Sequence, residues 1–159
     1  MKKLVVYYSY TGNTKKIAKI IQEKLNCDIL ELTPKIPFST DYQTVVDEYQ
    51  NNSIDNKKVE INNINIDFSE YDEIIIGTPV WWYTISPVVT TFLKKYDLST
   101  KKVYLFATNA GWLGRTFKDF EKLCTNAHTD ECMNVVFDEN NINMLKTSMQ
   151  DINNWIEKL

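Results

Sequence analysis

The amino-acid sequence predicts a single α/β domain over residues 1–159, with a five-stranded parallel sheet covered by helices on both faces. Two features of the chain support this prediction. Short apolar runs rich in β-branched residues recur along it, and segments with apolar residues at helical spacing separate these runs. No linker or internal repeat interrupts the alternation, and 159 residues suffice for one hydrophobic core.

Five runs are predicted to form the strands. The first, Leu4–Tyr8, is continuously apolar, which is typical of a strand that is buried on both faces of a parallel sheet. The other predicted strands are Asp28–Leu32, Asp72–Gly77, Val103–Thr108 and Met133–Phe137.

Helices are predicted between the strands and after the last one. Apolar residues at a spacing of three and four place one stripe on each helix, and that stripe faces the sheet. The predicted helices are Thr14–Leu25 and Tyr42–Gln50, and three more that carry the stripes Val89, Phe92, Leu93 and Tyr96; Phe117, Phe120 and Cys124; and Ile152, Trp155, Ile156 and Leu159.

The composition indicates a folded globular protein, with 43% hydrophobic and 25% charged residues. The sequence shows no apolar leader of the secretory type and no apolar run near the ~20 residues that a membrane span requires. We therefore expect a cytoplasmic protein without membrane association. The net charge of −3 argues against nucleic acid as a partner, because such binding depends on a broad basic surface.

The residues that most often build metal sites and catalytic triads are scarce. His128 is the only histidine, and we expect it at the surface near the end of a helix. The three cysteines, Cys27, Cys124 and Cys132, form no CxxC pattern and are odd in number, so we expect reduced thiols that serve in packing. The sequence therefore predicts no metal site and offers little material for a histidine-based catalytic triad.

The first loop, Ser9–Thr14, has the composition of an anion site. Gly12 permits a positive φ, and the backbone N–H groups that follow lie at the positive end of a helix dipole, where a phosphate binds favourably. A simple helix cap needs one hydroxyl or amide side chain, whereas this loop supplies four. The chain contains neither GxxxxGK[ST] nor GxGxxG, so nucleoside triphosphate and dinucleotide loops of those types are excluded.

Two further loops follow the third and fourth predicted strands, and both are aromatic. The second loop, Thr78–Pro87, contains Trp81, Trp82 and Tyr83 in succession, and at least one of these rings is expected to expose a face. The third loop, Asn109–Gly114, places Trp112 between two glycines. Ligands of open α/β sheets bind beyond the carboxyl ends of the strands. A phosphate site beside a planar aromatic slot suits a nucleotide-like ligand with a large ring.

The sequence YYSYTGNTKKIA resembles the phosphate loop of the flavodoxins, (Thr/Ser)-x-Thr-Gly-x-Thr, and the later loops resemble a branch with Pro-x-Trp-Trp in the second loop. The resemblance covers almost the whole chain and implies a flavodoxin-like, three-layer, doubly wound parallel sheet of strand order 2-1-3-4-5. It also implies flavin mononucleotide (FMN) as the cofactor. The FMN-binding residues implied by position are Ser9, Thr11, Gly12, Asn13 and Thr14 for the phosphate, Tyr10 in the same loop, and Pro79, Val80, Trp81, Trp82, Tyr83, Thr84, Asn109, Ala110, Gly111 and Trp112 for the ring. Because such a cofactor carries the redox chemistry itself, the resemblance implies no catalytic side chain.

Three functions remain open at this point. The resemblance implies a low-molecular-weight electron carrier that serves an unknown partner protein. No glycine lies between Gly77 and Gly111, however, where flavodoxins often place a glycine whose peptide flips towards half-reduced flavin. The alternatives are an FMN-dependent NAD(P)H:quinone-type oxidoreductase with a small-molecule acceptor, and a flavodoxin-like binding module without flavin. We expect a monomer or a weak dimer.

Overall fold

The computed structural model describes residues 1–50 and 59–159. Within these ranges the strands are β1 (Lys3–Tyr7), β2 (Asp28–Glu31), β3 (Glu73–Trp81), β4 (Thr84–Ile85), β5 (Lys102–Asn109) and β6 (Met133–Val136). The helices are α1 (Asn13–Leu25), α2 (Tyr42–Tyr49), α3 (Pro87–Lys95), α4 (Thr116–Leu123) and α5 (Met149–Ile156). None of the helices in the described part of the chain has the length and apolarity needed to cross a membrane.

The sheet confirms the predicted fold class. Five parallel strands pair in the order β2-β1-β3-β5-β6, which is the order 2-1-3-4-5 when the parallel strands alone are numbered. In the central register, Val5 of β1 pairs with Ile29 on one side and with Ile75 on the other. The short β4 pairs antiparallel with β3 and is an addition to the predicted sheet.

A hydrophobic core lies on each face of the sheet, because successive side chains of a strand point to opposite faces. Val6 is fully buried in the core that includes α3 and α4, whereas Val5 is fully buried in the core that includes α1 and α5. Each helix presents its predicted apolar stripe to one of these cores, as Phe92 does from α3 and Ile152 from α5.

Local signals in the sequence set the helix starts. The side chain of Asp41 accepts a hydrogen bond from the Thr44 N–H at 3.0 Å and caps α2. Ser148 caps α5 in the same way, through the Asp151 N–H at 3.1 Å. Pro87 is the first residue of α3, a position where a missing N–H costs nothing.

The second loop differs from the sequence-based prediction. The third strand was expected to end at Gly77, but β3 continues to Trp81 and turns back as β4. The extension is stable because β3 stays paired with β5 as far as Pro79 and with β4 beyond that point. A hairpin with a two-residue turn, Trp82 and Tyr83, therefore projects from the carboxyl edge of the sheet.

Candidate functional site

The three loops converge at the carboxyl ends of β1, β3 and β5, as predicted for an open α/β sheet. The rings of Tyr10 and Trp81 meet edge to face, with 5.6 Å between their centroids. The Arg115 N–H, next to the third loop, donates a hydrogen bond of 2.8 Å to the Tyr83 carbonyl. These contacts join the first loop to the second and the second to the third.

The first loop presents unpaired backbone donors. Gly12 has φ +99°, a conformation that a side chain would strain, and it precedes the first turn of α1. Within residues 1–50 and 59–159, the N–H groups of Thr11, Asn13 and Thr14 donate to no protein acceptor. Three such donors at the positive end of a helix dipole suit an anion.

Ser9 organises this loop. Its hydroxyl oxygen accepts hydrogen bonds from the N–H groups of Gly12 and Lys15, at 3.1 and 3.2 Å. Because the oxygen acts as the acceptor in both bonds, the hydroxyl hydrogen remains available to an anion.

Two other polar side chains of the loop contact the protein. The Thr14 hydroxyl lies 2.7 Å from the Thr108 hydroxyl, and both residues are buried. The Asn13 amide nitrogen donates a 2.6 Å hydrogen bond to the Ile142 carbonyl. These two side chains anchor the first loop to β5 and to the segment after β6, and sequence spacing gave no signal for either contact.

Lys15, which directly follows the first loop, is paired with a carboxylate. The Lys15 ammonium lies 2.9 Å from the Glu31 carboxylate, which also accepts a hydrogen bond from the Tyr7 hydroxyl. Burial, followed by the contact with Glu31, raises the pKa of Tyr7 above its usual range, so its hydroxyl stays protonated and donates to Glu31. An anion at this loop would therefore be held mainly by backbone dipoles and hydroxyl groups.

A cleft of about 400 Å³ lies beside the first loop. Its volume falls within the range of small-molecule sites, roughly 300–1,000 Å³. Of the predicted ring-binding residues, the structure places Val80, Trp81, Trp82, Tyr83, Asn109, Ala110 and Trp112 on its lining, together with Tyr10 from the first loop. Pro79, Thr84 and Gly111 do not line it, and neither do Ser9 and Thr11–Thr14.

One side of the cleft comes from a part of the chain to which the sequence had assigned no role. Tyr42, Val45 and Gln50, in α2 and at its C-terminal end, complete the lining. Tyr42 is 69% exposed and stands at the mouth. In the sequence, the only sign of this role for Tyr42 is the position of an aromatic residue at the start of a predicted helix, and that signal is weak.

Trp81 lines the cleft and belongs to a cluster of packed aromatic side chains. It is 8% exposed, and its ring packs against Phe38, Tyr8, Tyr49 and Trp82 at centroid distances between 4.9 and 6.2 Å. Burial raises the pKa of Tyr8, so this ring stays neutral at every physiological pH. Offset and edge-to-face contacts of this kind contribute about 0.5–1.5 kcal/mol each beyond buried area.

Trp82 and Tyr83 form the turn of the hairpin in a left-handed conformation. Their φ values are +47° and +67°, as a type I′ turn requires at both central positions. Such turns favour Asn-Gly, and a bulky residue in this region costs about 1–3 kcal/mol. Tyr83 is 58% exposed, which confirms the expectation that one ring of the aromatic run shows a face.

The third loop is held by Asn109. Its amide oxygen accepts a hydrogen bond from the Gly111 N–H at 2.8 Å, and its amide nitrogen donates to Asn134 at 2.7 Å. The loop thereby directs Trp112 outward, where it is 61% exposed at the mouth of the cleft. Tyr83 and Trp112 thus place two exposed rings on the lining of the cleft, in addition to that of Tyr42.

The cysteines and the histidine lie apart from the cleft. All three thiols are free, and Cys124 is buried as expected for a packing residue, while the other two are half-buried. Burial raises the pKa of the Cys132 thiol to about 12, so it remains a neutral thiol at pH 7. His128 is exposed and stacks near Tyr104, with 5.2 Å between ring centroids.

The residues present fit a ligand that joins a phosphate to a flat ring. The first loop supplies hydrogen-bond donors without a neutralising lysine, and the cleft next to it supplies aromatic faces. The Cβ-free Gly12 has no atom within 4 Å of the position that a side chain would take, so the backbone there is open to close approach.

Solved structures with the same fold include flavin proteins. A flavoprotein of Lactobacillus acidophilus NCFM, solved in complex with FMN, is 29% identical; the match covers 89% of this chain and 96% of that chain, with a TM-score of 0.69. A protein of Bacteroides uniformis ATCC 8492, provisionally named a flavoprotein, is 22% identical over 98% of this chain and 97% of that chain, with a TM-score of 0.78. A flavodoxin from the domain Archaea is 16% identical over 99% of this chain and 92% of that chain, with a TM-score of 0.54. The last two likenesses concern the fold alone.

A comparison with curated protein sequences gives no significant match. The family model described as flavodoxin, in contrast, matches residues 2–159 and so spans all three loops and both cores. Together with the strand order and the position of the cleft, this match establishes that the chain belongs to the flavodoxin family.

Proposed function

We propose that the protein binds FMN and acts as a low-molecular-weight electron carrier. The observation that carries this proposal is the first loop, where three unpaired backbone N–H groups and the Ser9 hydroxyl surround the start of α1 beside an aromatic cleft. The FMN-bound relative from Lactobacillus acidophilus supports the choice of flavin. When bound, FMN supplies the redox chemistry, and the protein sets its potential through burial, stacking and hydrogen bonds.

Each part of the site has a separate task in this proposal. Ser9 and the N–H groups of Thr11, Asn13 and Thr14 hold the phosphate dianion. Trp82, Tyr83 and Trp112 pack on the ring and exclude water from its faces. No side chain needs to act as a nucleophile or base, and among the described residues the titratable groups on the cleft lining are three tyrosines, Tyr10, Tyr42 and Tyr83.

The exposed mouth of the cleft supports exchange of electrons with another molecule. Tyr42, Tyr83 and Trp112 place three partly exposed rings around the opening, so a partner protein can approach the cofactor edge without rearrangement of the fold. We propose only the class of this partner, which is a redox protein or a small-molecule acceptor. A monomer or weak dimer, located in the cytoplasm, agrees with this role.

A second candidate is an FMN-dependent NAD(P)H:quinone-type oxidoreductase. The observation in its favour is the same open mouth, because two exposed rings can stack a planar acceptor over the cofactor. The two candidates differ in their electron donor, which is a protein in the first and a nicotinamide cofactor in the second.

Titration of the purified, flavin-free chain with FMN and with riboflavin tests the proposal. We expect a visible spectrum shift with FMN and binding at least about tenfold weaker for riboflavin, which lacks the phosphate; this factor corresponds to about 1.4 kcal/mol. Ser9→Ala should weaken FMN binding and leave riboflavin binding unchanged. Ser99→Ala, at the opposite edge of the sheet, is the matched control.

Stepwise anaerobic reduction of the FMN-loaded protein then separates the candidates. Accumulation of one-electron-reduced flavin favours the carrier, whereas direct two-electron reduction together with rapid NAD(P)H oxidation in the presence of a quinone favours the reductase. A chain that binds neither FMN nor riboflavin would overturn both.

A further inference from the structure

The Trp82–Tyr83 turn lies at the mouth of the cleft in a conformation that these residues do not adopt by preference. Two consecutive bulky residues with positive φ persist only where the surrounding structure over-determines them. The hairpin strand β4 is only two residues long, Thr84–Ile85, so pairing within the hairpin supplies little of this restraint. A restraint must come from outside the hairpin.

The segment from Gly114 to Asp119 contacts the turn from the other side. The Arg115 N–H donates its 2.8 Å hydrogen bond to the Tyr83 carbonyl. Gly114, with φ +57°, lies directly against Tyr83, because a Cβ built there would stand 2.5 Å from the Tyr83 carbonyl oxygen. Only a glycine permits the backbones to approach this closely.

A shared carboxylate completes the contact. The Thr84 hydroxyl donates to the Asp119 carboxylate at 2.5 Å, and the Arg115 Nε donates to the same oxygen at 2.8 Å. Thr84 is 4% exposed and the Asp119 side chain is 21% exposed, so this hydrogen bond is partly buried. The Asp119 side chain thereby links Thr84, which follows the turn, to Arg115, whose backbone N–H bonds the Tyr83 carbonyl.

We propose that Gly114, Arg115, Asp119 and Thr84 form a positioning clamp, which holds the Trp82–Tyr83 turn in its left-handed conformation and keeps both rings on the lining of the cleft before flavin binds. The direction of each Cβ follows from the backbone angles, so a turn that relaxed to negative φ would carry the rings away from the cleft. The clamp explains how a hairpin without Asn-Gly supports a preformed ring site. Its role in flavin binding rests on the proposed function, whereas its effect on the turn does not.

Amide hydrogen exchange on the flavin-free, full-length chain tests the clamp directly. Thr84→Val removes the hydroxyl that bonds Asp119, and we expect exchange of the Arg115 amide at least about tenfold faster while the Leu105 amide in the interior strand β5 stays unchanged. Thr84→Ser keeps the hydroxyl and should restore slow exchange at Arg115. In the FMN titration, Thr84→Val should raise the dissociation constant about three- to tenfold and Thr84→Ser should not.

Two controls separate the clamp from general destabilisation. Thr90→Val also deletes a buried threonine hydroxyl, whose bond goes to the Ser86 carbonyl outside the clamp, and it should leave Arg115 exchange unchanged. Gly114→Ala should act like Thr84→Val, whereas Gly111→Ala, also at positive φ but with no atom within 4 Å of the new Cβ, should leave Arg115 exchange unchanged.

The proposal is overturned if Thr84→Val leaves Arg115 exchange unaltered, or if Arg115 and Leu105 accelerate together. Faster Arg115 exchange with an unchanged FMN dissociation constant would overturn the positioning role. A wild-type chain that binds no FMN would overturn the proposed function and with it the clamp's part in flavin binding. The exchange data would then still decide whether the clamp holds the turn.

Discussion

The bond between Thr14 and Thr108 allows a sharp test of how the first loop is built. Substitution of Thr14 by valine keeps the shape of the side chain and removes its hydroxyl. The bond is short, 2.7 Å, and the two residues are 1% and 4% exposed, so water cannot replace the missing partner. The Thr108 hydroxyl would be left buried and unsatisfied.

The magnitude follows from that burial. Loss of one partner of a buried hydrogen bond costs about 1–3 kcal/mol, whereas replacement of both partners by apolar groups is nearly neutral. With an m-value of about 2 kcal/mol/M, a loss of about 2 kcal/mol lowers the urea midpoint by about 1 M. We expect this shift for Thr14→Val and for Thr108→Val, and a midpoint close to wild type for the double variant.

The wild type, the two single variants and the double variant form a double-mutant cycle. Urea unfolding of these four flavin-free proteins, followed by tryptophan fluorescence, measures the coupling between the two hydroxyls in stability. FMN titration of the same four proteins measures the effect of each change on the FMN dissociation constant. Because the Thr14 hydroxyl bonds Thr108 while the Thr14 N–H remains free, the double variant should bind FMN within about threefold of wild type.

Two results would refute this reasoning. A double variant as unstable as the single ones would mean that the two hydroxyls do not satisfy each other. A double variant of normal stability whose FMN affinity falls more than about tenfold would mean that the Thr14 hydroxyl contacts the phosphate itself.

Two further predictions concern packing and pH. Gly77→Ala would place a Cβ against the Phe106 ring, 2.7 Å from its Cε1 atom and closer still to its Cζ atom, so we expect about 1–3 kcal/mol of destabilisation in urea unfolding, relieved in part by Phe106→Leu; an unchanged midpoint would contradict the close packing. The Asn140 N–H, then the Lys146 ammonium and the Asn141 N–H, hold the pKa of Asp138 below its usual 3.8. A lowered folded-state pKa stabilises the segment above pH 3.8, and this contribution is lost as the pH falls through the folded value. The Ile142 NMR amide signal should therefore stay constant from pH 7 to about 4 and move below it, and Asp138→Asn should abolish the transition.

Long-range contacts were beyond the reach of sequence reasoning even where the residue types were clear. The first loop was recognised from its hydroxyls and glycine, but the partners of Thr14 and Asn13 lie 94 and 129 positions away. Nothing in local spacing indicates which polar side chain remains available to a ligand and which is used within the protein. The Trp82–Tyr83 turn was missed for a related reason, since neither residue favours positive φ and most of the clamp residues lie outside the hairpin, at the end of the third loop and in α4.

The amino-acid sequence was sufficient to predict the five parallel strands, the helix faces, the strand order through the family resemblance, and the three loops at the carboxyl edge. The strands, helix faces and loops follow from local periodicity, capping and glycine placement, which are physical preferences of short segments, whereas the strand order came from the resemblance alone. The folded structure was needed to show which side chains line the cleft, that α2 supplies one side of it, and that contacts outside the hairpin hold the aromatic turn. Those outcomes depend on contacts between distant segments, whose energies exceed the local preferences that a sequence displays.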